Sequence, residues 1–185
     1  NIGLGSGSLG TALTTGTDNV AIGEAALDAV TSGADNTAVG DNAAGATTTG
    51  GNNVAVGSAA LLVNTTGADN VAVGVGALDA NTTASNNVAV GSGALSANST
   101  GTSNTAVGKD AGLAVSTGQN VTILGYTAGD ALTTANNVTA LGSLALSTAT
   151  TVSGSTAVGY KAGNAATTAT DLTAVGYRAG QAVTT

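Results

Sequence analysis

The chain has 185 residues, ten acidic side chains against three basic ones, and a net charge of −7; it contains no Cys, His, Met, Trp, Phe or Pro. That composition excludes thiol chemistry, a disulfide framework and histidine acid–base work, and it lacks the basic footprint that nucleic acid or an anionic membrane surface requires. Stability must come from repeated hydrogen bonding and close packing of small residues, and the absence of Pro suits a fold in which nearly every N–H enters a ladder.

From Asn1 onward one five-residue word, Asn-(Val/Thr)-Ala-(Val/Ile/Leu)-Gly, recurs along the whole chain. Its glycines are Gly5, Gly23, Gly40, Gly57, Gly74, Gly91, Gly108, Gly125, Gly142, Gly159 and Gly176, so the first interval is 18 residues and the following nine are 17. A short, regular period marks a solenoid in which each repeat is a rung stacked on its neighbours. The expectation is an all-β parallel solenoid of about eleven 17-residue coils, one continuous array over 1–185 with no second domain. Neither end carries a polar cap, so the array reads as a fragment of a longer fibre protein.

Within a coil, the residue before each glycine is a branched aliphatic, as in Val39, Val56, Val73 and Val90. Two residues earlier stand Thr37, Val54, Val71 and Val88. These two columns share one strand face, and their hydrophobicity predicts that the Val39–Val56–Val73–Val90 column is core. The intervening alanines (Ala38, Ala55, Ala72, Ala89) would then form a flat outward stripe that a partner chain covers. Segments such as Ala25-Ala26-Leu27-Asp28-Ala29-Val30 look locally helical. A 17-residue coil has no room for a stable helix, so two short strands per coil are predicted.

Asparagines open the word at Asn19, Asn36, Asn53, Asn70, Asn87 and Asn104 and predict a ladder hydrogen-bonded from rung to rung. Val121, Val138, Ser155 and Leu172 replace them later in the chain. The Asp or Asn that precedes the word, as at Asp18, Asp35, Asn52 and Asp69, reads as Asx-turn chemistry and not as a calcium loop. Paired hydroxyl residues recur from Thr14-Thr15 to Thr184-Thr185. Adjacent residues face opposite ways, so each pair offers one outward hydroxyl per rung, a weak basis for ice binding. Scattered acids with a single Glu (Glu24) provide no repeated carboxylate pair for glycoside hydrolysis. No catalytic, cofactor-binding or metal-ligating set emerges, and no enzyme is expected. Tyr126, Tyr160 and Tyr177, with Lys161 and Arg178, follow the word's glycine as a partial column and are candidate contacts for a ligand's sugar faces and hydroxyls.

The word, as in Asn36-Thr37-Ala38-Val39-Gly40 or Asn53-Val54-Ala55-Val56-Gly57, resembles the head repeat of YadA-like trimeric autotransporter adhesins and similar repeats of phage and viral tail fibres. The resemblance implies a left-handed β-roll, three chains side by side, and exposure on a bacterial surface or virion. It implies an adhesive or structural fibre module whose partners are further copies of itself and a surface glycan or extracellular matrix. No membrane insertion is expected in this segment, because no apolar run is long enough to span.

Overall fold

The structure, a computed structural model, describes residues 1–181, so the Thr184-Thr185 pair lies outside the described residues. Eleven three-residue strands follow one another: β1 (Ile2–Leu4), β2 (Val20–Ile22), β3 (Thr37–Val39), β4 (Val54–Val56), β5 (Val71–Val73), β6 (Val88–Val90), β7 (Thr105–Val107), β8 (Thr122–Leu124), β9 (Thr139–Leu141), β10 (Thr156–Val158) and β11 (Thr173–Val175). They form a single parallel sheet in sequence order. Each residue pairs with its equivalent one repeat away, as in Ala55 with Ala72 and Val56 with Val73. The chain is an all-β parallel solenoid, and the described residues contain no helix. At a parallel spacing of about 4.8 Å, eleven strands make a sheet on the order of 50 Å long.

The second strand expected in each coil is absent among the described residues. Past the word's glycine the backbone enters the left-handed region at Ala59 (φ 57°) and Leu61 (φ 55°), and again at Asp69 (φ 58°). Left-handed residues this frequent destroy the pleat, so only the word itself is strand. The hydrogen-bond ladder nevertheless continues round the coil. Leu61 N–H donates to the Ala77 carbonyl at 2.9 Å, Thr65 N–H to Thr82 at 2.8 Å, and Val71 N–H to Asn87 at 2.8 Å. The segment that looked helical, Ala25 to Val30, is a turn, in which Val30 N–H donates to the Leu27 carbonyl at 3.2 Å.

The strand faces are the reverse of those expected. Ala38, Ala55, Ala72 and Ala89 are fully buried inside the coil, whereas Val39, Val56, Val73 and Val90 lie half-buried on the outer face with the column two residues earlier. The asparagines cause the inversion. Asn53 Nδ2 donates to the Gly67 carbonyl at 2.9 Å across the buried interior, and its Oδ1 accepts Asn70 N–H at 3.0 Å. An inward first position puts the third inward as well and turns the second and fourth outward, because side chains alternate with period 2. A 17-residue coil is also narrow. Leu61 and Ala60 already occupy the wall facing the sheet and are fully buried, so alanine is the size that fits.

One departure from this rule carries its own compensation. Ile123 stands in the alanine column of β8 and is fully buried. At the left-handed position that holds Leu61, Leu78 and Leu95 elsewhere, the coils around Ile123 have Gly112 and Gly129. A Cβ on either glycine would lie 3.0 or 3.1 Å from Ile123 Cδ1, so the isoleucine fills the space those leucines vacate.

Candidate functional site

The outer sheet face is the most continuous surface of the molecule. It carries two columns, Ile2 to Thr173 and Leu4 to Val175, without a charged residue in either. Its first column is aliphatic in β1, β2, β4, β5 and β6, and threonine in β3 and in every strand from β7 to β11. Two columns on a sheet about 50 Å long present on the order of 500 Å² of flat, largely apolar surface, at the upper end of what a monomer exposes.

Behind that face the six predicted asparagines form the buried ladder. Asn36, Asn53, Asn70, Asn87 and Asn104 each donate their backbone N–H to the preceding Asn Oδ1 at 3.0 Å. The run ends where Asn104 Oδ1 accepts Val121 N–H at 3.1 Å. A second buried ladder went unread in the sequence. Asn81 Nδ2 donates to Asn64 Oδ1 at 2.9 Å, and Asn98 Nδ2 to Asn81 Oδ1 at 3.1 Å. Its signal was present as three asparagines at 17-residue spacing.

The hydroxyl pairs divide their labour. The first member is spent within the rod: Thr48 Oγ1 donates to the Thr65 carbonyl and Thr65 Oγ1 to the Thr82 carbonyl, both at 3.0 Å. The second member, as at Thr49, Thr66 and Thr83, is exposed, which leaves a single file of outward hydroxyls. The Asx column sits in the left-handed region, from Asp18 (φ 58°) to Asp171 (φ 56°), the conformation short polar side chains tolerate. Among the described residues no group of carboxylates could hold a metal ion. Asp130 has one buried carboxylate oxygen without a partner, and burial pushes its pKa up, against backbone N–H groups that pull it down.

The candidate contact residues gather on one edge. The Tyr160 and Tyr177 rings stack at 5.5 Å between centroids with 20° between planes. Lys161 Nζ lies 5.5 Å from the Tyr160 ring centre, and the Arg178 guanidinium lies 5.5 Å from that of Tyr177. Tyr126 stands two rungs before Tyr160, separated from it by Ser143, and does not join the stack. Its ring instead takes Lys109 from the preceding coil at 5.8 Å. Lys109 also pairs with Asp110, whose hydrogen bond and charge hold the ammonium above its ordinary pKa. Sequence reasoning passed over Lys109 because the ring it meets belongs to the next repeat. Among the described residues no helix is long and apolar enough to cross a membrane. Comparison with protein-family models, curated proteins and solved structures returns no match.

Proposed function

We propose that this chain is a structural and adhesive fibre module, a stiff rod displayed outside a bacterial cell or on a virion, in which three copies pack side by side through the outer sheet face. The observation that carries the reading is the charge-free double column running from β1 to β11. A lone chain leaves it in water, whereas covering the face in all three copies removes on the order of 1,500 Å² in total, the size of a standard specific interface. The resemblance of the repeat word to trimeric adhesin heads supports three copies. The buried asparagine ladder and the laddered backbone supply stiffness, and repetition along the rod supplies many equivalent contacts for multivalent attachment.

The test is the mass in solution by sedimentation equilibrium, with Val73→Lys and Val90→Lys together as the disrupting variant. A mass near three times 17.0 kDa that falls to one chain in the variant is the expected result. A monomer at every concentration would overturn self-association through this face.

A further inference from the structure

We propose that the edge bearing Tyr160, Lys161, Tyr177 and Arg178 binds an acidic glycan, one that carries carboxylate or sulfate groups along a sugar backbone. The proposal rests on the reading of the chain as an exposed adhesive rod and names what that rod holds.

The first support is how the chain's charges and rings are distributed. Residues 1–104 contain seven acids and no base, whereas residues 105–185 contain three of each. All three bases and all three aromatics of the chain fall in the second block, at the first or second position after the word's glycine. In the first block the same edge carries Glu24 and Asp41. One edge therefore changes from acidic to basic and aromatic along the rod. The asparagine ladder ends at this boundary, and from β7 onward the first sheet column is entirely threonine.

The second support is the state of the two cations. Lys109 is neutralised by Asp110, but among the described residues neither Lys161 nor Arg178 has a carboxylate partner. They occupy equivalent positions on adjacent rungs, so their backbones lie about 4.8 Å apart along the rod. Each side chain lies against a tyrosine, which orders the cation while leaving its donors available. The tyrosines supply what a sugar needs beside the charge: a flat apolar face for its C–H bonds and a hydroxyl for its own hydroxyls. Tyr160, which has coils on both sides of it, is 38% exposed and so presents part of its ring to a ligand.

Charge density selects the class of polyanion. Duplex DNA carries one phosphate per strand about every 3.4 Å of its axis, and nucleic acid is bound through several cations. Two free cations beside a block of net charge −7 cannot meet that density. A glycan with one acidic group on each sugar, or on every second sugar, spaces its charges widely enough for Lys161 and Arg178 and leaves uncharged ring faces for the tyrosines. Repetition of the edge in neighbouring copies would raise the apparent affinity by multivalency.

The test is calorimetric titration of the 185-residue chain with polygalacturonate, dextran sulfate, neutral dextran and single-stranded DNA. Binding to at least one acidic polysaccharide is expected, and which of the two binds identifies carboxylate or sulfate as the preferred group. The affinity should fall as salt rises, with a log–log slope shallower than the roughly −1.8 that two cations give on duplex DNA, because a glycan of wider charge spacing releases fewer counterions. Lys161→Gln with Arg178→Gln should lower the affinity at least tenfold, as should Tyr160→Ala with Tyr177→Ala, while Glu24→Gln leaves it unchanged. Equal binding of neutral dextran, tighter binding of DNA, an unaffected Lys161/Arg178 variant or no binding at all would overturn the proposal. Sedimentation of the same samples separates this proposal from the assembly reading. A monomer that binds keeps the glycan site, and a trimer that binds none of the probes removes it.

Discussion

Ile123 and Leu124 are neighbours on β8 that point to opposite sides of the sheet, so truncating each in turn tests which face is core. Ile123 is fully buried and Leu124 is 52% exposed. Ile123→Ala removes three buried carbons, worth about 2.4 kcal/mol at about 0.8 kcal/mol per methylene. Gly112 and Gly129 line the resulting hole without side chains of their own, and the Leu95 and Leu132 ends beside them fill it only in part, so a cavity contribution raises the loss to about 3–4 kcal/mol. Leu124→Ala removes the same number of carbons from a half-exposed site and costs about 1 kcal/mol. Urea unfolding followed by circular dichroism would read these as midpoint shifts of about 1.5–2 M and about 0.5 M, for a slope near 2 kcal/mol per molar. Running both variants at two protein concentrations separates folding from assembly, because the loss in Ile123→Ala does not depend on concentration whereas any extra loss in Leu124→Ala through self-association does. A concentration-independent loss in Leu124→Ala larger than that in Ile123→Ala would refute the inward alanine column.

Further variants probe the ladder, the turns and a buried acid. Asn36→Ala strands the Gly50 carbonyl and the Asn53 N–H inside the rod; two unpaired buried groups should cost about 2–4 kcal/mol in denaturant melts. Gly74→Ala and Gly76→Ala form a matched pair in one turn. The first puts a Cβ 2.5 Å from the Gly91 carbonyl at φ 137°, whereas the second meets nothing within 3.8 Å at φ 64°. Thermal melts should show a loss above about 3 kcal/mol for Gly74→Ala and one within about 1 kcal/mol for Gly76→Ala. Asp130→Asn should stabilise the rod at neutral pH. Burial raises the Asp130 pKa in the folded chain, so the ionised carboxylate is penalised above the ordinary Asp range, and the advantage of Asn should vanish as pH falls below that range and the acid is protonated in both folded and unfolded states.

The period, the parallel sheet and the asparagine ladder could be read from spacing alone, because each follows from identical residues recurring at a fixed interval. The direction of the strand faces could not be read from hydrophobicity. Val56 is more apolar than Ala55, and ranking them that way puts the wrong one inside. The decisive sign was the asparagine itself: a ladder fed by backbone N–H groups has to lie within the coil, and alternation from an inward Asn53 carries Ala55 in and Val56 out. The missing second strand had a fainter signal. Ala59 and Leu61 adopt left-handed angles that their identities do not announce, but their columns hold Gly76 and Gly93 two positions after the word and Gly112 and Gly129 four positions after it. Glycine alternating with alanine or leucine at one repeat position marks a positive φ. On the aromatic edge, Tyr160 and Tyr177 were legible as a pair because they occupy successive rungs. The Lys109–Tyr126 contact was not, because its two members differ in type and Lys109 has no tyrosine beside it in its own coil, as Lys161 and Arg178 do.

These features share one physical cause. The coil is held from rung to rung mainly by backbone groups and by an asparagine side chain that answers them, so the outward columns contribute little to closing it. A column can therefore change chemistry along the rod while the ladder continues. The boundary after Asn104 shows this freedom and its limit. Outside, the first sheet column becomes threonine and the turn edge passes from Glu24 and Asp41 to Lys109, Tyr160 and Arg178, with strand register preserved from β6 into β7. Inside, the bulkier Ile123 is admitted because Gly112 and Gly129 make room for it on the opposite wall, and asparagine yields to the buried apolar Val121 and Val138. The exchange at Ile123 is matched across the interior, whereas the exterior columns vary separately. A rod built this way keeps an uncharged sheet face along its length while its turn edge changes character from one block of coils to the next.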